Sequence, residues 1–134
     1  MIDTYVRKDK SNNSMLVSFN RITNGQEVKK VVLSLYRQHL SDKPALGFYI
    51  LTGTHGDDRG GLYLERNFFI KDKELEGQRI HAYDIRDNTV RVKEILSKKN
   101  AIIVLAWCFS TRNEDIISLL PESYDDEWKP LFVE

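Results

Sequence analysis

The chain has 134 residues, 41% of them hydrophobic and 30% charged, which suits one domain around one core and excludes wholesale disorder and fibrous repeats. Its 20 Lys and Arg balance 20 Asp and Glu, so no broad field favours nucleic acid or an anionic membrane, and neither is expected as a partner. Cys108 is the only cysteine, which excludes an internal disulfide and any multi-cysteine zinc site and leaves a lone thiol as packing material or nucleophile.

The opening MIDTYVRKDKSNNS lacks the apolar run of a secretory leader, and no stretch reaches the roughly 18 apolar residues of a membrane span. The expectation is one soluble, cytoplasmic domain over residues 1–134. Two short β-like segments come first, around Thr4 to Arg7 and Ser14 to Asn20, separated by the polar KDKSNNS as a loose hairpin or as independent strands. From Gly25 to Leu40, Val28, Val31, Val32, Leu35 and His39 recur at helical spacing, with Thr23 or Asn24 as N-cap. Ser41 to Pro44 ends that helix, because proline cannot continue the hydrogen-bond ladder.

Ala45 to Thr52, ALGFYILT, is an apolar run of strand length and reads as a central strand buried on both faces. It runs into THGDDRGG, whose three glycines and two aspartates mark a turn or open loop. Gly61 to Glu65 and Phe68 to Ile70 suggest a small antiparallel excursion, Lys71 to Arg79 a solvated stretch, and Ile80 to Tyr83 a short extended piece. The spacing of Val92, Ile95 and Leu96 predicts a second helix over Asn88 to Lys98, capped at Asp87 or Asn88. Ala101 to Trp107, AIIVLAW, is a second buried-strand candidate. A third helix is expected from Asn113, where Glu114 and Asp115 suit the positive end of the dipole, to just before Pro121. The tail PESYDDEWKPLFVE reads as irregular, with Trp128, Leu131 and Phe132 docking on the body. This alternation implies an α/β fold, a mostly parallel sheet flanked by helices.

In such sheets reactive groups gather beyond the carboxyl ends of the strands. His55 follows the first buried run and Cys108 the second, so adjacent parallel strands would bring imidazole and thiol together across 53 positions of sequence. A cysteine nucleophile needs such a neighbour to form its thiolate. The backbone amides of Gly56 and Cys108 are the candidate oxyanion-hole donors, since glycine permits close approach to a substrate.

YILTGTHGDD followed by AIIVLAWCFS resembles the caspase-like cysteine peptidases, the clan of caspases, metacaspases, gingipains and CHAT-domain proteases, over roughly Ala45 to Ser110. The resemblance implies a caspase-like fold and a peptidase with His55 as general base, Cys108 as nucleophile and Gly56 as oxyanion donor. Where caspases carry glutamine two positions before the cysteine this chain has Ala106, so cleavage after aspartate is not implied; Trp107 replaces the usual small residue. Only 26 residues follow Cys108, so the chain looks like the large-subunit half of a caspase-like unit, in a truncated, partner-completed or inactive version.

Each feature also has a plainer reading. A cysteine ending an apolar strand is often a small buried hydrophobe, and His-Gly is often a turn. His39 belongs to the packed stripe of the first helix, and His81 lacks a glycine partner, which makes it a weak substitute base. Asp57, Asp58 and Glu65 offer oxygen ligands for Mg²⁺, but a solvated loop with Arg59 as counter-charge is the favoured reading, so neither metal nor cofactor is expected. Three functions remain: a cysteine endopeptidase acting on a protein or peptide substrate; a non-catalytic adaptor, decoy or inhibitor that forms homo- or hetero-oligomers through an exposed sheet edge; and, ranked last, a metal-dependent nuclease or phosphatase built on Asp57, Asp58 and Glu65.

Overall fold

The computed structural model describes residues 4–19, 30, 31, 34, 35, 37, 38, 47–52, 80–84, 89–105 and 110–131. Six strands form one mixed sheet: β1 (Thr4–Lys8), β2 (Met15–Phe19), β3 (Gly47–Thr52), β4 (Ile80–Asp84), β5 (Ala101–Leu105) and the two-residue β6 (Lys129–Pro130). They lie in the order β4-β3-β5-β2-β1-β6. β2 with β5, β5 with β3 and β3 with β4 are parallel, whereas β1 is antiparallel to both β2 and β6. The α/β class stands, and the sheet is parallel in its β2-β5-β3-β4 part but antiparallel at the β1 and β6 side.

β5 is the centre of this sheet, and all five of its residues are buried. Strand alternation assigns Ala101, Ile103 and Leu105 to one face and Ile102 and Val104 to the other. The first set joins Leu16 and Leu51 in a core with Val92, Ile95 and Leu96 of the Thr89–Leu96 helix, Ile116 and Tyr124, with Trp128 packed alongside. The register aligns Val17, Val104 and Ile50 on the opposite face, where all three are buried. Lys30, Val31, Ser34, Leu35, Arg37 and Gln38 are helical, and the stripe residues Val31 and Leu35 are buried.

The polar KDKSNNS link is no loose spacer. Asp9 accepts hydrogen bonds from the Ser11 amide at 2.9 Å, the Ser11 hydroxyl at 2.8 Å and Asn12 Nδ2 at 2.9 Å, while the Asp9 amide donates to the Ser14 carbonyl at 2.9 Å. Short polar side chains bonding back to nearby backbone stabilise such turns.

The tail, expected to be irregular, instead extends the sheet. β6 pairs with β1, Tyr124 bridges to Asp9, and the Asp125 and Leu131 amides donate to the carbonyls of Lys8 and Thr4, both at 2.9 Å. The physical reason is that the free edge of β1 offers unpaired amides and carbonyls, and a short segment without strand propensity can still satisfy them. Arg7 fastens this docking, its guanidinium carbon 5.0 Å from the Trp128 ring centroid and its Nη1 donating to the Asp125 carbonyl at 3.3 Å.

Burial pushes the Asp9 carboxyl up, but hydrogen bonds from Ser11, Ser123 and Asn12 outweigh it and hold the group below the ordinary aspartate range. A carboxyl depressed in the folded state stabilises above its unfolded pKa, and that stabilisation is lost as pH falls through the folded value. Stability should therefore drop below about pH 4. Asp9→Asn should flatten this acid limb in denaturant titrations, because an amide does not titrate, and should lower stability at neutral pH, because one acceptor becomes a donor facing Asn12.

Asn100 turns the chain into β5 with φ 52°, and its carbonyl accepts from the Gly47 amide at 3.2 Å. Asn100→Gly should preserve stability, whereas the β-branched Asn100→Val should cost about 1–2 kcal/mol in chemical denaturation.

Candidate functional site

Three adjacent parallel strands, β4, β3 and β5, direct their carboxyl ends to one rim. Thr52 pairs with Asp84 and Leu51 with Leu105, so the three strands end within one residue of a common level. Neighbouring strands in a sheet run about 4.8 Å apart. His55 follows the end of β3 by three residues, and Cys108 follows the end of β5 by three. Asp84 is itself the last residue of β4.

His55, Gly56 and Cys108 lie outside the described residues, as do His39, Asp57, Asp58 and Glu65. What the structure brings together is the pair of strands that lead to His55 and Cys108, which hydrogen-bond directly. His81 pairs with Tyr49 three positions before the end of β4, about 10 Å of strand back from the rim. That placement argues against it as a substitute base. Among the described residues, no group of three or more His, Cys, Asp or Glu is placed to hold a metal ion, and no helix is long and apolar enough to cross a membrane.

Sequence reasoning missed three residues at this rim. The extended piece expected from sequence stops at Tyr83, one residue short of Asp84, whose signal is an acidic residue closing an apolar strand. The other two are serines. Ser18 near the end of β2 and Ser110, two residues after Cys108, are both fully buried, and their hydroxyls hydrogen-bond to each other. The Ser110 hydroxyl also reaches the Leu105 carbonyl at 3.4 Å, across the segment that contains Cys108. Ser18 shares its register level with Leu105 and Leu51. Buried hydroxyls must find partners, and here they find one another.

After Cys108 in the chain, Ser110–Arg112 form one 3₁₀ turn and Glu114–Ile117 a single helical turn. Asn113 caps that turn, its Oδ1 accepting from the Ile116 amide at 3.1 Å, and the Asn113 amide donates to the Ser110 carbonyl at 3.2 Å. The helix expected from Asn113 is thus present, shorter than the expected span to just before Pro121, with Ile116 buried in the core.

With this geometry in view, one family matches the chain: Tox-HDC, described as a toxin with a H, D/N and C signature, over residues 12–123. The match spans most of the sequence, and the chain belongs to this toxin family. No curated protein and no solved structure matches it.

This finding overturns the resemblance to caspase-like peptidases, for which no family match exists. A strand followed by His-Gly and a strand followed by Cys is a pattern that any parallel sheet with an imidazole and a thiol on its rim can produce. Ala106 and Trp107, which depart from the caspase pattern, are consistent with that correction.

Asn113→Ala should remove the cap on the Glu114–Ile117 turn and cost about 1 kcal/mol, measured by denaturant unfolding.

Proposed function

We propose that this toxin-family domain is a cysteine hydrolase that cleaves peptide bonds in a protein target, with Cys108 as nucleophile, His55 as base and Asp84 as the acceptor that orients the imidazole. One observation carries the reading. The strand leading to His55 lies between the strand ending in Asp84 and the strand leading to Cys108. A base that takes a proton from a nucleophile and is held by a third group needs to stand between them. The family description, H, D/N and C, names these residue types.

The chemistry follows from the roles. His55 accepts the Cys108 proton, and the thiolate attacks the carbonyl carbon of the peptide bond. The amides of Gly56 and Cys108 donate to the oxyanion of the tetrahedral intermediate. Its collapse breaks the C–N bond, His55 protonates the leaving amine, and an acyl group stays on sulfur as a thioester. Water, deprotonated by His55, then releases the acid and regenerates the thiol.

The tolerance for Asp or Asn in the family signature fits an orienting role. In a thiolate–imidazolium pair both ring nitrogens carry protons, and an amide oxygen accepts from one as a carboxylate does. Asparagine has no carboxyl proton to transfer, so this position is read as an acceptor. The reducing cytosol suits a nucleophilic thiol, and we place the action there.

A second reading draws on the sheet edge. Among the described residues β4 pairs only with β3, whereas the opposite edge ends in the two-residue β6, where Pro130 has no amide to donate. A partner strand added to β4 would make the domain an assembly module. Light scattering on the purified chain tests this, and a strict monomer counts against self-assembly through β4.

An electrophilic peptide should label the chain at one site. Intact-mass spectrometry should show no labelling of Cys108→Ala and at least about 100-fold slower labelling of His55→Ala. Asp84→Asn should keep most of the rate, whereas Asp84→Ala should lose about tenfold or more. Labelling indifferent to His55 would contradict the hydrolase reading.

A further inference from the structure

The β2–β5 pair carries a serine clamp at each end. At the amino end Ser14, 1% exposed, donates from Oγ to the Lys98 carbonyl at 2.9 Å and accepts from the Ala101 amide at 3.0 Å. This clamp ties the start of β2 to the start of β5, far from the rim. At the carboxyl end Ser18 and Ser110, both 0% exposed, form the other.

The direction of the second clamp follows from counting protons. A serine hydroxyl has one to donate. Ser110 gives its proton to the Leu105 carbonyl, so Ser18 donates to Ser110. The resulting chain runs from Ser18 to Ser110 to Leu105 and joins β2 to both ends of the segment 105–110. Cys108 lies within that segment, three residues after one anchor and two before the other.

We infer that Ser18 and Ser110 are positioning residues for Cys108, tying Leu105 and Ser110, the described residues on either side of it, to β2. The inference rests on the hydrolase reading and adds to it the element that orients the nucleophile. Fixing Leu105 and Ser110 to each other and to β2 removes conformational freedom on both sides of Cys108 in the chain. Reacting groups displaced by about 1 Å can lose about 100-fold in rate, so small shifts of these anchors reach the chemistry. Neither serine is exposed to a substrate, which leaves them acting through the chain that carries Cys108.

Ser14 supplies a matched control, being equally buried, on the same two strands, and hydrogen-bonded at the opposite end. Because Cys108 is the only cysteine, iodoacetamide consumption followed by mass spectrometry reports on it alone. The full chain and its variants should be alkylated across pH, with thermal unfolding recorded in parallel.

Wild type should titrate below the midpoint of an ordinary thiol, about pH 8.5, and lose that depression in His55→Ala. Ser110→Ala and Ser18→Ala should move the midpoint toward the ordinary value and slow alkylation at pH 7 about tenfold. Ser110→Thr, which keeps the hydroxyl, should restore the profile. Ser14→Ala should lower the unfolding temperature and leave the profile superimposable on wild type. If Ser110→Ala does not fold, Ser18→Ala carries the comparison, because it leaves the bond from Ser110 to Leu105 in place.

A depressed, His55-dependent midpoint that ignores Ser18 and Ser110 as fully as it ignores Ser14 overturns the inference alone. An ordinary midpoint in wild type, indifferent to His55, overturns the hydrolase reading and the inference with it.

Discussion

The parallel pairing of β2 with β5 is the interaction on which the rest of this domain depends. From Leu16 to Phe19 and from Ala101 to Leu105 every residue of the two strands is buried. Each large aliphatic side chain buried here contributes about 1.5–3 kcal/mol, and the same burial obliges every backbone amide and carbonyl to find a partner. The two strands meet that demand for each other in register, Leu16 with Ile103 and Val17 with Val104. Parallel pairing offers no tight turn to hold its ends, and the buried serines at positions 14, 18 and 110 do so instead.

The architecture of the rim follows from that central pair. β5 enters the sheet last among the long strands and takes the place between β2 and β3, after the chain has already gone out to β4. The return from β4 passes through the Thr89–Leu96 helix, whose Val92, Ile95 and Leu96 cover one face of the sheet. Reversal of strand order is where an α/β sheet opens a crevice beyond its carboxyl ends, because successive connections leave in different directions. An acidic strand end and the strands preceding the histidine and the cysteine meet at that place, and the toxin family is defined by those residue types. Tail docking by Arg7, Trp128 and β6 belongs to the other side of the sheet, where it covers β1 and leaves the rim to β4, β3 and β5.

Much of the framework was legible in the sequence for a simple reason. AIIVL is hydrophobic at every position, and only a central strand covered on both sides satisfies such a run at that length. Val92, Ile95 and Leu96 repeat at helical spacing and are buried together. The positions of His55 and Cys108 relative to their strands are matters of counting along the chain. Less legible were features with no periodic signature. β6 contains Lys129 and Pro130, two residues of low strand propensity, and exists because the edge of β1 was open. Ser18 looks in sequence like any polar residue near a strand end, and its hydroxyl partner is 92 positions away.

By itself the sequence determined the class of the fold, the identity of the buried strands and the presence of one thiol and three imidazoles, because burial patterns and residue chemistry are local properties. It did not determine the family through the short caspase-like pattern, since residues beside two strand ends are shared by many rims; the match over residues 12–123 did. Tertiary structure alone decided that β3 stands between β4 and β5, that Asp84 ends level with Thr52, and that Ser18 meets Ser110. Strand order and register are settled by which faces can be buried together and which backbone groups can be paired, and those are properties of the whole chain.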